Sequence, residues 1–413
     1  MDSYSKSYKN DIYFFLPMTA VDQQRFFRAM EFEDRRGRAP RANEDAFGKE
    51  YCNTLAEHVD YECSNPTFRS LRRYYLGEFA LACYDDNYDG TVIATERAHL
   101  FVTAHRKTGL CIVTVAVHDN TFIPTQLIDQ MSTEHLNILV PEKGEYISVE
   151  GYMNTRFGLR RCGESKCVVC LSNKPADELE LAYMLAGETY VSEHIDYHLH
   201  PDRVGALLEN HACYDYYESY ISRSVVAFVF KDYEESIFDR LDDEASVLFV
   251  VEIVLFQNTA VLRTNRRVVE SLGENENVSN EEIKDLYLEF GRTMGFWSTD
   301  IFKYPFSQME ADEVIRCFGI SKALEEYHRN QSYIDRLIEI KSTITNERSS
   351  NRMNFILYVL AWVQSVAILL SGLLWILQSL LRVQNTTWWG IGCVVFSMVV
   401  GLWIYTYIMK GKE

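Results

Sequence analysis

The chain has 413 residues, of which 47% are hydrophobic and 24% charged, and its formal net charge is −18. This length is enough for two or three folded units, each with its own buried core. The acidic balance argues against a nucleic-acid polymer as a partner, because binding a phosphate backbone requires a basic surface. A small anionic ligand needs only a local basic cluster, and this charge does not exclude one.

Residues 1–257 alternate between strand-like and helix-like segments. Helical spacing occurs in ADELELAYMLAGE and HPDRVGALLENHACYDYYESYI. The mixture predicts an α/β domain around one central sheet. The opening MDSYSKSYKND has no apolar signal core, so we expect this domain to be cytoplasmic, where the chain's ten cysteines need not pair. The strand-like runs are DIYFFLP, HLFVTAH, LCIVTVAVHD, YISVEGYM, RSVVAFVFKD and SVLFVVEIVLFQ.

An acid-free basic window, GYMNTRFGLRRCG, spans residues 151–163 and follows a predicted strand. Guanidinium groups there suit the phosphate of a nucleotide, and the window also offers aromatic rings on which a base can stack. Arg160 and Arg161 can act together only if the backbone is a loop, since neighbours on a strand face opposite ways. The predicted ligand-binding residues are Asn154, Arg156, Arg160 and Arg161.

Two further basic clusters are alternative ligand sites, FRSLRRYY and LRTNRRVV. Any of the three clusters could instead pair with acids, which is the ordinary role of surface arginines. The arginines of the two alternatives are Arg69, Arg72 and Arg73 in the first and Arg263, Arg266 and Arg267 in the second.

Cysteines and histidines cluster in CGESKCVVC and SEHIDYHLH. Thiolate and imidazole suit Zn²⁺, so Cys162, Cys167 and Cys170 with His194 and His198 could hold a structural zinc ion. The spacing is not standard, and CVVC also fits a strand with buried thiols. The histidines of SEHIDYHLH have two interpretations. They could hold a metal ion for hydrolysis, or they could be polar residues of a loop and a helix start before Pro201. The residues of that second candidate are His194, His198, His200 and Asp202.

Established enzyme signatures are absent from the sequence. It contains no Walker loop, no G-x-S-x-G, no HExxH and no Rossmann fingerprint. We therefore expect a protein that is not an enzyme and that requires no cofactor, while a membrane-tethered enzyme stays open as an alternative.

Residues 258–353 are predicted to form a helical region and a stalk helix. The loop SLGENENVSNEE breaks the chain within this region, and from Glu281 onward the pattern is mainly helical. From Ser321 to Ser371 no glycine or proline interrupts the helical pattern. The sequence therefore predicts one stalk helix that continues into a membrane span. A shift at the base of such a helix would be carried into the bilayer.

Residues 354–413 predict two transmembrane helices joined by a short hairpin. Phe355–Leu381 and Val383–Met409 are each 27 residues without an ionisable side chain, enough to cross about 30 Å of hydrocarbon. Five basic residues lie before the first span or after the second, whereas the hairpin between the spans has only Arg382. Basic residues favour the cytoplasmic side, so both termini should be cytoplasmic. Those basic residues are Lys341, Arg348, Arg352, Lys410 and Lys412.

Polar and small side chains recur every seven residues in the first span. A seven-residue interval keeps them on one face of the helix, where a stripe of uncharged polar groups could line a water-filled path. The alternative is a packing seam between membrane helices. The predicted pore-lining residues are Asn354, Gln364, Ser365, Ser371, Gly372 and Gln378.

An α/β cytoplasmic domain, an unbroken stalk helix, two spans and a basic tail together resemble the CorA family of metal-ion channels. The local text ERSSNRMNFILYVLAWV is similar to the place where a CorA stalk enters the membrane. The resemblance implies a homo-oligomeric funnel, expected to be a pentamer, in the inner (plasma) membrane, with the first span lining the pore.

One departure from the CorA pattern bears on function. Magnesium-transporting members carry a Gly-Met-Asn signature at the outer end of the first span, where this chain reads WILQSLLRVQN. A CorA-like branch without the signature accompanies type III CRISPR antiviral defence and is opened by a second messenger, a conjugate of S-adenosylmethionine and AMP. The resemblance implies such a messenger-gated effector, and the alternative is a divalent metal-ion channel for magnesium or cobalt.

Overall fold

The structure is a computed structural model that describes most of the chain as two compact units, Met1–Ser332 and Tyr333–Glu413. The described residues are 10–37, 46–84, 91–120, 124–140, 144–190, 198–232, 234, 236–273, 279–297 and 301–381, with residues 392, 395, 396 and 399. The second predicted span, Val383–Met409, and the hairpin before it therefore lie almost wholly outside the described residues.

The first unit is built on a mixed sheet of ten strands within the described residues. The strands are β1 (Asn10–Ala20), β2 (Leu71–Tyr84), β3 (Val92–His105), β4 (Leu110–His118), β5 (Asn137–Val140), β6 (Glu145–Ser148), β7 (Leu159–Arg161), β8 (Lys166–Leu171), β9 (Tyr217–Ile221) and β10 (Val225–Phe230). Their order is β6-β5-β2-β3-β4-β1-β8-β10-β9, and β7 also pairs with β1. The pair of β8 and β10 is parallel, and the other pairs are antiparallel.

Helices cover both faces of this sheet, which confirms the predicted α/β domain. The helices of the described residues are α1 (Gln23–Gly37), α2 (Ala46–Tyr61), α3 (Pro124–Ser132), α4 (Val149–Phe157), α5 (Glu178–Ala186), α6 (Pro201–Leu207), α7 (Ile237–Gly273), α8 (Asn280–Met294), α9 (Pro305–Cys317) and α10 (Ile320–Leu381). One core lies between the sheet and helices α2, α7 and α9, and the other lies under α1, α3, α4 and α5. The predicted loop SLGENENVSNEE overlaps the end of α7 and the start of α8, and its residues 274–278 lie outside the described residues.

Three segment predictions are wrong. The run SVLFVVEIVLFQ, predicted as a strand, lies inside α7, so the predicted boundary at residue 257 falls within a helix. The run YISVEGYM leaves its strand after Ser148 and starts α4. The segment HPDRVGALLENHACYDYYESYI forms the short α6 and then β9 rather than one helix.

Helix α7 is joined to the sheet by buried polar pairs as well as by apolar contacts. Arg240 donates to Asp11 at 3.0 Å, Tyr13 donates to Glu244 at 2.5 Å, and Arg73 forms an ion pair with Glu252. At about 100° per residue, positions 240, 244 and 252 lie within an arc of about 120° around α7, so all three can reach the sheet. Shifting α7 along the sheet would break all three pairs, so they fix its register.

Glu310 on α9 is a buried carboxyl that makes stability depend on pH. Burial raises its pKa to about 7, although Tyr217 donates to both of its oxygens at 3.1 Å, and nearby Glu62 raises it further. The folded carboxyl keeps its proton up to about pH 7, whereas the unfolded one releases it near 4.5. The native state is therefore destabilised progressively as pH rises between these values.

We expect Glu310→Gln to stabilise the protein by about 1–3 kcal/mol at pH 8 and to change little at pH 4, where both forms are neutral. Urea unfolding followed at both pH values measures the difference. Glu313→Gln, which changes a half-buried carboxylate on the same helix that pairs with Arg316, is the control and should show no such gain. An equal effect of Glu310→Gln at both pH values would show that titration is not its cause.

Two helices among the described residues are long and apolar enough to cross a membrane, which is compatible with a membrane protein. In Ile237–Ser271 of α7, 89% of the most apolar 18-residue segment is buried, as expected for the core helix of a folded domain. In Ile320–Leu373 of α10, none of the most apolar 18-residue segment is buried. The predicted helix without a break from Ser321 to Ser371 is confirmed, since α10 extends over Ile320–Leu381.

Candidate functional site

The basic window 151–163 contains a helix and a strand, and this corrects the predicted loop. Ser148 caps α4 by accepting from the Gly151 amide at 3.1 Å. Gly158 ends the helix in a left-handed conformation with φ 66°, which glycine adopts without strain. Arg160 and Arg161 then pair with β1 inside β7. The two guanidiniums leave opposite faces of a strand, so they do not form one fork.

The four predicted ligand residues have different surroundings. Arg156 donates to Glu33 at 2.9 Å, and Arg161 donates to Glu134 at 2.6 Å. Asn154 is exposed on α4, and its backbone carbonyl accepts from the capping Gly158. Arg160 is exposed and has no ion-pair partner among the described residues. Of the four, Arg160 is therefore the cation most available to a ligand.

The structure brings the alternative cluster on α7 to the same place. Arg266 donates from Nη1 to the backbone carbonyl of Arg161 at 3.0 Å. Arg263 donates to the carbonyl of Thr108, in the turn between β3 and β4, at 2.6 Å. The two clusters are about a hundred residues apart in sequence and adjacent in the fold, which no local pattern could have revealed.

Glu289 on α8 neutralises part of this basic surface, and sequence reasoning missed it. Its carboxylate is buried and forms ion pairs with Arg263, with Arg267 at 3.2 Å and with Arg292 at 3.8 Å. One acid shared by three arginines leaves the surface positive. A glutamate at a helical spacing of three from an arginine was a weak signal for such a role.

The third cluster is not a surface site. Arg73 is 4% exposed and pairs with Glu252 inside the core. Arg72 lies over the ring of Tyr74 at 5.1 Å. Only Arg69 is exposed, so FRSLRRYY mainly anchors β2 against α7 and does not gather three free cations.

The cysteines of CVVC face opposite cores. Cys167 packs in the core under α1, α3, α4 and α5, and Cys170 packs in the core under α7. Two thiols on opposite faces of a sheet cannot bind one tetrahedral ion. Cys162 instead donates to the carbonyl of Thr259 at 3.7 Å. His194 lies outside the described residues, and within the described ranges no group of three His, Cys, Asp or Glu side chains could hold a metal.

The described histidines before α6 fit the interpretation that this segment is a loop and a helix start. His200 is the N-cap, and its Nδ1 accepts from the Asp202 amide at 3.3 Å. His198 is exposed. His200 and Asp202 thus begin a short helix, as Ser, Thr, Asn or Asp side chains do elsewhere.

In the second unit, the predicted polar stripe lies on an exposed side of α10. Gln364, Ser365, Ser371 and Gly372 are exposed, while Val359, Val363, Val366 and Ala367 are half-buried. At about 100° per residue the two sets point in roughly opposite directions around the helix. Ile368 and Trp375 share the side of the stripe, so polar and apolar layers alternate along it. The side chain of Gln378 lies outside the described residues, and Asn354 is exposed below the stripe.

The serines and the glutamine of the stripe differ in whether they have hydrogen-bond partners. Ser365 donates to the Ala361 carbonyl at 2.8 Å, and Ser371 donates to the Ile368 carbonyl at 2.9 Å. These hydroxyls are satisfied within the helix, as they can be in lipid. Gln364 has no partner among the described residues. An amide in hydrocarbon needs one, which water in a pore or a neighbouring helix would supply.

The chain matches no protein-family model, no curated protein and no solved structure in our comparisons. Its site residues must therefore be interpreted from their own geometry and chemistry.

Proposed function

We propose that the chain is one subunit of a homo-oligomeric, CorA-like channel of the plasma membrane, opened by a small anionic nucleotide. In this proposal five first-span helices surround a pore, both termini are cytoplasmic, and the sheet unit is the sensor. The ligand is the conjugate of S-adenosylmethionine and AMP, and the channel acts in type III CRISPR antiviral defence. Ion flow across the membrane follows from ligand binding, with no chemical reaction on the ligand.

The observation that carries the proposal is the exposed polar stripe on α10. Among the described residues the Gln364 amide has no hydrogen-bond partner, and such a group is stable in a bilayer only against water or another polar group. A ring of identical helices supplies both, because it encloses a path lined by the same residue from every subunit.

An anionic ligand is supported by the arginines of β7 and α7. They form a basic surface in a chain whose formal net charge is −18. Such a local cluster attracts a small phosphorylated molecule, whereas the surrounding acidic surface disfavours a long polyanion. The channel alternative that transports magnesium or cobalt needs no such ligand, so ligand dependence of opening distinguishes the two.

We expect Ser365→Leu or Gly372→Leu to abolish messenger-dependent ion efflux from liposomes, because a larger apolar side chain closes a polar path. Ser365→Ala, which adds no bulk, should retain efflux. Size-exclusion chromatography should show the same oligomer for all variants. Loss of the oligomer in the leucine variants would instead identify the stripe as a packing seam.

A further inference from the structure

Arg160 lies on the α7 side of the sheet. It pairs in register with Thr19, and Pro17, two residues earlier on β1, lies near Leu262 of α7 beside Gly163. Residues two apart on a strand share a face, so Thr19 and its partner Arg160 face the same way as Pro17. Leu159 faces the other core. The strand therefore directs Arg160 toward α7 and Arg161 away from it.

Arg266 reaches the strand that carries Arg160. Its bond to the Arg161 carbonyl places its guanidinium next to the backbone of β7. Both Arg160 and Arg266 are exposed, and neither has a carboxylate partner among the described residues. Two guanidiniums held at the same short strand without counter-charges repel each other, and a bound anion would relieve this repulsion.

The surrounding surface keeps a positive balance. On the α7 side of β7, five arginines lie with two carboxylates. The carboxylates are Glu270 and Glu289, and the arginines are Arg160, Arg263, Arg266, Arg267 and Arg292. Glu289 pairs with Arg263, Arg267 and Arg292, and among the described residues neither carboxylate forms an ion pair with Arg160 or Arg266.

We infer that Arg160 and Arg266 together bind a phosphate group of the ligand, each donating through its guanidinium. Planar guanidiniums match the oxygens of phosphate and can donate two bonds each. This inference rests on the proposed nucleotide-gated function and names its site, which draws one residue from each of two clusters.

The same position connects the ligand to the start of α10. Asn265, next to Arg266, donates to the Ala323 carbonyl at 3.0 Å and accepts from Asn330 at 3.1 Å. Asn265 is 5% exposed, so these two bonds are sheltered from water. An anion that moves Arg266 would displace the neighbouring Asn265, and with it the first turns of α10.

The test measures binding by the full-length protein in phosphatidylcholine nanodiscs, using isothermal titration calorimetry. The probes are the S-adenosylmethionine–AMP conjugate, AMP, inorganic pyrophosphate and S-adenosylmethionine, which has no phosphate. We expect Arg160→Gln and Arg266→Gln each to weaken binding of the conjugate about tenfold or more, since each removes a charged hydrogen bond. Arg203→Gln changes an exposed arginine of α6 and should leave the affinity unchanged. AMP and pyrophosphate should compete with the conjugate, and S-adenosylmethionine should not.

Several outcomes would overturn the site. They are wild-type affinity in both Gln variants, equal competition by S-adenosylmethionine, or no binding of any phosphate probe to the wild type. Loss of nucleotide affinity in phosphatidylglycerol nanodiscs would show that a lipid headgroup is the anion, and would also overturn it. Messenger-dependent efflux with unaffected Gln variants refutes this site and leaves the proposed function standing. Binding that depends on both arginines without any efflux refutes the function and leaves the site standing.

Discussion

Glu252→Ala is expected to destabilise the protein by about 3–5 kcal/mol, the usual cost of removing one partner of a buried ion pair. Glu252 is 1% exposed and pairs with Arg73, which also donates to the Tyr51 carbonyl at 2.5 Å and to Thr103 at 3.1 Å. Removing the carboxylate leaves the Arg73 charge inside the core without compensation. Urea unfolding of the purified protein in detergent, followed by tryptophan fluorescence, measures the loss.

Two further variants show whether the uncompensated charge is the cause. Glu270→Ala removes an exposed carboxylate from the same helix and should cost less than about 1 kcal/mol. Arg73→Met combined with Glu252→Leu removes both charges while keeping much of the volume, and should recover most of the stability. A double variant as unstable as Glu252→Ala would show that packing, and not the buried charge, sets the cost.

Ile340→Pro should abolish messenger-dependent opening while messenger binding persists. Position 340 lies in the middle of α10, and proline there removes a helical hydrogen bond and costs about 3 kcal/mol or more. Ile338→Pro should act in the same way. Calorimetry measures binding, and liposome efflux measures opening.

The control for this substitution is Ile340→Ala, which removes the same exposed side chain but preserves the helix. It should gate as the wild type does. Normal gating by the proline variants would show that α10 does not need to be unbroken to carry the signal. Loss of binding as well would show that the substitution disturbs the sensor itself.

The sequence predicted those elements whose local pattern decides the structure. The run LCIVTVAVHD became β4, and the stretch without glycine or proline became α10. The apolar run at residues 246–257 was misleading because a helix buried on all sides and a buried strand look alike over twelve residues. The polar residues Arg240, Glu244 and Glu252, which lie within about a third of the helix circumference, were the signal for α7.

The candidate anion site could be predicted only in part. The arginines of β7 were visible as an acid-free window, but their orientations depend on β7 pairing with β1. Arg266 was visible in a separate cluster, and its contact with Arg161 depends on how α7 packs against the sheet. Tertiary contacts between distant segments carry that information, and local periodicity does not.

Current across a planar bilayer containing the purified protein tests the central claim most directly. On addition of the S-adenosylmethionine–AMP conjugate to the side facing the sheet unit, we predict discrete channel openings that S-adenosylmethionine alone does not cause. Ser365→Leu should abolish them at the same protein density. Steady current without the conjugate, or no current with it, would contradict a messenger-gated channel.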